Sequence, residues 1–322
     1  MSGQPIVETS GLRRTFKGRG KTGSVEAVAG VDLTIAAGDI FGFLGPNGAG
    51  KTTTVRILAT LLPPTAGTAR VAGFDVAHQS RQVRERIGYV AQAGGSYRES
   101  TGREELVIQG RLFGMSKADA GKRAVEILEA LDLAEAADRT CKTYSGGMRR
   151  RLNIGIGMVH RPAMLFLDEP TTGLDPQARA RLWEEIRKLR ETGTSVLLTT
   201  HYLEEADALC DRLAIIDHGK IVAEGSPAEL KREIAGDVLT IGVNGECDRV
   251  VALMRLQPFV REAGIEDGLV RLYVDKGEEA VPQVLRLLDS NGVAPSTMNL
   301  HRPSLDDVFL KKTGRSLRET AA

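Results

Sequence analysis

The chain has 322 residues, enough for one large domain or two ordinary ones, and its 43 basic and 42 acidic side chains leave a formal net charge of +1. That balance, with only 4% aromatic residues, argues against a nucleic-acid partner held by bulk electrostatics or by base stacking. Cys141, Cys210 and Cys247 are far apart with no CxxC pair, which argues against a disulfide framework or zinc site and suits a reducing cytosol.

The opening residues, MSGQPIVETSGLRRTF, lack the apolar stretch of a signal peptide. No window approaches the roughly 18 to 20 apolar residues of a membrane span, so a membrane role is expected to come through a partner. Up to about residue 225, short apolar runs alternate with longer amphipathic segments, which predicts an α/β domain with a mainly parallel sheet. Four runs read as buried strands: DIFGFLG (39–45), RIGYVAQ (86–92), AMLFLDE (163–169) and SVLLTTH (195–201). Each ends in a residue able to handle phosphate, magnesium or water. Ligands of open α/β sheets bind beyond the carboxyl ends of the strands, so the four endings predict one shared site.

Helices fall between these runs. A helical lobe is expected over about 95–160. In LDPQARARLWEEIRKLRETG, Asp175 reads as an N-cap, Pro176 as first-turn residue, Leu182, Ile186 and Leu189 as one apolar face, and Gly193 as the stop. Beyond EGSPAELKREIAGD the pattern changes to a small β-α-β-β-α-β unit with a last helix from Ser304. The expected division is therefore a domain over 1–235 and a small α+β accessory domain, ferredoxin-like, over 236–322.

GPNGAGKT (45–52) follows a strand and opens a helix. Its residues Gly45, Pro46, Asn47, Gly48, Ala49 and Gly50 allow backbone N–H groups to turn inward and cradle phosphates. Lys51 supplies positive charge to the β- and γ-phosphates, Thr52 a hydroxyl for Mg2+, and Thr53 is a further ATP-binding residue at the helix start. Asp168 is placed to hold magnesium and Glu169 to orient or deprotonate the attacking water; structurally the pair can also simply cap a strand. Gln92 can reach the metal or the γ-phosphate, and His201 the γ-phosphate or the water. Phe16 fits either an adenine stack or a core position.

In YSGGMRRRL (144–152), Ser145 reads as an N-cap and the glycines expose N–H groups, making an anion-binding helix start. The order GPNGAGKT, Gln92, YSGGM, LFLDE, GLDP and His201 resembles the ATP-binding subunit of an ATP-binding-cassette (ABC) transporter over roughly residues 5–225, a P-loop NTPase. The resemblance implies a head-to-tail homodimer that sandwiches two Mg-ATP. Ser145, Gly146, Gly147 and Asp175 of one chain would then contact the nucleotide held by the other. Tyr144 and Met148 depart from the family's usual LSGGQ, and the insert KGRGKTGS after Phe16 loosens the assignment of the stacking aromatic. What the three arginines touch is left open by the sequence.

The tail LHRPSLDDVFLKKTG (300–314), with TYSGGMRRRL and TTHYLEEADAL, resembles daunorubicin-resistance-type ATP-binding proteins. That implies an ATPase working at the cytoplasmic face of the cell membrane with a separately encoded permease, for drug efflux. The alternatives are an exporter of lipid or other hydrophobic cargo, or a soluble ATPase outside transport. Only 53 positions separate Gln92 from Ser145 and there is one cassette, unlike the chromosome-maintenance and translation-factor members.

Overall fold

A computed structural model describes residues 4–17, 23–92, 99–191, 193–234, 236–243 and 245–317. Part of the insert after Phe16 and the start of the expected helical lobe, 95–98, lie outside the described residues. The chain divides into two compact units, one made of the residues up to Ser226 together with Leu317 and the other spanning Pro227–Ser316.

The first unit contains β1 (Val7–Phe16), β2 (Val25–Ile35), β3 (Ile40–Leu44), α1 (Lys51–Leu58), β4 (Ala66–Val71), β5 (Phe74–Asp75), α2 (Ser80–Arg84), β6 (Ile87–Val90), α3 (Gly102–Leu112), α4 (Lys117–Ala130), α5 (Gly146–Met158), β7 (Met164–Asp168), α6 (Pro176–Glu191), β8 (Ser195–Thr200), α7 (Leu203–Leu209), β9 (Arg212–Asp217) and β10 (Lys220–Gly225). Its main sheet runs β10-β9-β3-β8-β7-β6, parallel except for the β9–β10 hairpin at one edge. Every residue of β3, β7 and β8 is buried. Such unbroken apolar runs belong to parallel strands covered on both faces. All four strands read from the sequence lie in this sheet, with Gln92, Glu169 and His201 just past their carboxyl ends.

A second, antiparallel sheet, β2-β1-β4-β5, was not expected from the sequence. β1 and β2 alternate buried and exposed positions, with register shifts between Thr9 and Leu12 and between Arg14 and Thr15. Bulges break the period-2 signal by which a half-buried strand is read. The helical lobe is built from α3, α4 and α5 around Leu106, Ile127, Leu128 and Leu152. Tyr144 is buried in it, and its hydroxyl donates to the Ala136 carbonyl at 2.7 Å. This accounts for an aromatic where the family usually carries leucine: its polar tip is satisfied.

The second unit contains α8 (Pro227–Arg232), β11 (Asp237–Val243), α9 (Cys247–Arg255), β12 (Val260–Glu266), β13 (Leu269–Val274), α10 (Gly277–Ser290), β14 (Pro295–His301) and α11 (Leu305–Thr313). Its antiparallel sheet has the order β12-β13-β11-β14. With the element order β-α-β-β-α-β this is the ferredoxin-like arrangement. The division falls at Pro227 rather than near 235, because α8 packs with α11 and Lys312 pairs with Glu233 at 2.8 Å. Ser304 and Asp307 form a capping box at the start of α11, and the buried Asp307 carboxylate also meets Arg271 at 3.1 Å.

Two glycines of the first unit separate packing from backbone entropy. A Cβ at Gly88 on β6 would collide with the Gly157 carbonyl of α5, whereas one at Gly121 on α4 meets no described atom within 4 Å. Gly88→Ala should destabilise the protein by about 1 to 3 kcal/mol through overpacking. Gly121→Ala should stabilise it by up to about 1 kcal/mol. Urea denaturation of the two variants beside the parent checks both signs.

Candidate nucleotide site

The glycine loop turns between β3 and α1. A Cβ at Gly45 would strike the Ile216 carbonyl, and Gly50 has a φ of 105° with the Ala27 carbonyl against it. Both positions need glycine because another backbone approaches so closely. Lys51 begins α1, is only 4% exposed, and donates to the carbonyls of Gly45 at 2.6 Å and Pro46 at 2.9 Å. Burial pulls its ammonium below the ordinary 10.5, while Glu169 and Asp168 oppose the fall. Among the described residues it has no ion-pair partner. A buried ammonium whose hydrogen bonds go only to carbonyls, at the start of a helix, fits an anionic ligand.

Asp168 ends β7 and is almost fully buried. Its Oδ1 accepts from the Thr52 hydroxyl and from the Thr199 hydroxyl, each at 2.7 Å. Thr52 and Asp168 thus converge as two oxygen donors of the kind Mg2+ takes. Glu169 follows with φ of 44°, a left-handed conformation uncommon for this residue type. Its N–H donates to Thr199 Oγ1 at 2.9 Å, and its Oε2 accepts from Gln92 Nε2 at 2.8 Å and from Thr172 Oγ1 at 3.1 Å. His201 Nδ1 lies 3.5 Å from Glu169 Oε1, a long contact at the edge of hydrogen-bond range. The His201 ring is the main cause holding the Glu169 carboxyl below its ordinary 4.5; burial opposes it, and Lys51 and Thr172 add to it. The Tyr202 ring packs on His201 at 4.0 Å, with the Arg179 guanidinium over Tyr202 at 4.6 Å.

These groups face one cleft of about 640 Å³, lined by Pro46 to Thr53, Gln92, Glu169, Thr172, His201 and Ala27. Phe16 is not brought to that wall. It sits exposed at the end of β1 with the Arg14 guanidinium over its ring at 4.8 Å, and Ala27 of β2 lines the cleft instead. Ser145, Gly146, Gly147 and Asp175 line a separate hollow of about 280 Å³ that shares no residue with the first. Ser145 Oγ accepts from the Met148 N–H at 3.2 Å, and Asp175 Oδ1 from the Ala178 N–H at 2.8 Å; each residue caps its helix, as read from the sequence. A Cβ at Gly147 would come 3.3 Å from Ala178, but one at Gly146 meets nothing described within 4 Å.

Sequence reasoning missed Thr199, Thr172 and Arg150. Thr199 had a signal, since on β8 it lies two residues before His201 and so on the same face. Arg150 had none: three consecutive arginines look alike until the helix fans them about 100° apart.

A doubly covered parallel sheet, a glycine loop and a carboxylate pair at its strand ends define an ATPase of the cassette type. A family profile described as ABC transporter matches residues 28–172. The fold is similar to that of the ATP-binding cassette MJ0796, solved as a dimer in a post-hydrolysis state bound to ADP and Pi. The TM-score is 0.63 at 25% identity, covering 69% of this chain and 98% of that one.

A second profile, that of the ATP-binding protein DrrA1-3-like C-terminal domain, matches residues 225–313. The daunorubicin resistance ATP-binding protein DrrA2 of Streptomyces coeruleorubidus is 46% identical over 303 residues, 93% of this chain and 94% of that protein. The Nod factor export ATP-binding protein I of Ralstonia nicotianae is 39% identical over 317 residues, 98% of this chain and 96% of that protein. The chain belongs to the DrrA-type ATP-binding proteins of the ABC transporter family, and its reaction is ATP hydrolysis.

The lowered Glu169 pKa has a consequence for stability. A depressed carboxylate contributes stability above its unfolded value and loses it as pH falls through the folded value. His201→Gln removes the main cause, so its urea midpoint should lie below the parent's at neutral pH. The two midpoints should converge as pH falls below the ordinary carboxylate value of 4.5. Urea titrations at a series of pH values measure the gap.

Proposed function

We propose that two copies of this chain close head to tail on two Mg-ATP, and that closing and reopening drive a separately encoded membrane permease at the cytoplasmic face. Gly146 is the observation that carries this reading. Glycine in a helix is worse than alanine by about 1 kcal/mol, yet no described neighbour and no positive φ requires it there. A helix start stripped of side chains suits close approach by something outside the chain, and the Gly146 and Gly147 N–H groups at that start suit an anion. The chain's own glycine loop already has a phosphate cradle, so the anion is the γ-phosphate held by a second copy.

In this reading Lys51 and the loop amides bind the phosphates, and Thr52 and Asp168 would hold Mg2+, with Gln92 near it. When bound, the metal supplies charge neutralisation at the phosphate oxygens. Glu169 orients the attacking water and accepts its proton, and His201 steadies the carboxylate and the γ-phosphate. The lowered pKa weakens Glu169 as a base, so its larger part is to orient the water.

The magnitudes suffice. Moving a two-state system from 1:99 to 99:1 needs about 5.5 kcal/mol, or roughly 2.8 per nucleotide. A hydrogen bond to a charged group contributes about 1.5 to 3 kcal/mol. One or two contacts from Ser145 and the Gly146 and Gly147 amides are enough, without a large new interface. Among the described residues no helix is long and apolar enough to cross a membrane, which fits a peripheral subunit.

Drug efflux is the cargo we propose, by analogy with the daunorubicin resistance relative. The Nod factor export relative favours a different exported cargo as the second reading. Co-purification of the chain with an integral membrane protein tests the transport role against a soluble ATPase, and drug accumulation in cells lacking the pair tests the cargo.

Glu169→Gln should bind Mg-ATP, lose hydrolysis by about 100-fold or more, and accumulate as a dimer. Light scattering in excess Mg-ATP checks the mass, and a monomer there would falsify the sandwich. Mixing Ser145→Arg with Lys51→Ala chains should restore one complete site per heterodimer. ATPase activity of the mixture above that of either variant alone is the expected result.

A further inference from the structure

The arginine run that follows the two glycines divides its work three ways. Arg149 donates to the Tyr144 carbonyl at 2.8 Å, and Arg151 donates to the Leu131 and Asp132 carbonyls at 2.8 and 3.1 Å. Both tie α5 to the lobe that contains it. Arg150 points the other way, into the main sheet. It is 7% exposed and donates through Nε to the Pro170 carbonyl at 2.7 Å, and through Nη2 to the Asp168 carbonyl at 2.9 Å. Through Nη1 it donates to the Ala91 carbonyl at 2.7 Å and, less well, to the Gln92 carbonyl at 3.4 Å.

The carbonyls that Arg150 holds are placed tellingly. Asp168 and Pro170 flank Glu169, whose left-handed φ persists only where the surroundings over-determine it. Thr199 fixes the Glu169 N–H, and Arg150 holds the carbonyls of the residues before and after it, Asp168 and Pro170. The third carbonyl precedes Gln92, the residue that donates to Glu169 Oε2. One planar guanidinium therefore grips the two neighbouring strand ends that present Gln92 and Glu169. Its own helix begins at the glycines beside Ser145, less than two turns away. A lysine presents a point charge and cannot span carbonyls in three directions with fixed geometry.

We propose that Arg150 is a positioning residue for hydrolysis: it fixes the backbone of Glu169 and Gln92 to the helix that starts at Ser145, so that the carboxylate is aligned only when that helix is seated. The proposal rests on the reading of Glu169 as the group that orients water. It assigns Arg150 no contact with nucleotide, so its removal should change the rate and spare binding.

The test is a double-mutant cycle in the full chain, with single-turnover Mg-ATP hydrolysis and ATP dissociation constants measured for Arg150→Met, Arg150→Lys, Glu169→Gln and the doubles. Arg150→Met should lose about 100-fold in rate, the scale of a misplaced catalytic group, with ATP affinity within about 3-fold of the parent. Arg150→Lys should fall between Met and the parent. Either change should cost less than about 2-fold when Glu169→Gln is already present, because a residue that acts through Glu169 has nothing left to position. Losses that multiply in the double, an affinity that falls in step with the rate, or a parental rate in Arg150→Met would each overturn the proposal. Should Arg150→Met fail to fold, the cycle runs on Arg150→Lys with the same outcomes. Parental hydrolysis in Glu169→Gln would instead remove the reading of Glu169 itself.

Discussion

One carboxylate oxygen ties the cleft together. Asp168 Oδ1 accepts from Thr52, 116 residues away in sequence at the start of α1, and from Thr199 on the neighbouring strand. A buried charge is tolerable only when its lone pairs are filled, so burial at the end of β7 forces α1 and β8 to deliver hydroxyls to the same point. The strand order β3-β8-β7 does this by placing Thr199 beside Asp168 in register, with the glycine loop one strand further on. The lysine, the glutamine, the glutamate and the histidine are arranged around that knot.

Polar economy continues along the helix after Ser145. Its three arginines look like a solvated basic face, yet each has carbonyl partners within its own chain. Carbonyls at strand ends and helix ends are orphaned when the regular ladder stops, and burying them unpaired costs about 1 to 3 kcal/mol apiece. Arginine, with five donors in a rigid fork, satisfies several at once. The basic run thus has a structural use without any anion, which separates its role from that of the neighbouring glycines.

Those glycines and the cleft belong to different hollows of the same unit. Neither hollow contains the other's residues. Two unlike halves are what the proposed head-to-tail pair requires, because each copy then offers its partner what that partner lacks.

Much of this was legible in the sequence because it is local. Buried parallel strands read as unbroken apolar runs, and their ends carry Gln92, Glu169 and His201; Ser145 and Asp175 cap helices through bonds spanning three residues. Motif order over one contiguous stretch was enough to carry the family resemblance. What required the tertiary structure is long-range or broken in period. The bulged β1 and β2 hid an antiparallel sheet, the border moved to Pro227 because α8 packs with α11, and Phe16 was left away from the cleft wall. The targets of Arg150 are 18 to 59 residues away. Periodicity tells which way a side chain faces, but only the folded chain decides which carbonyl waits there.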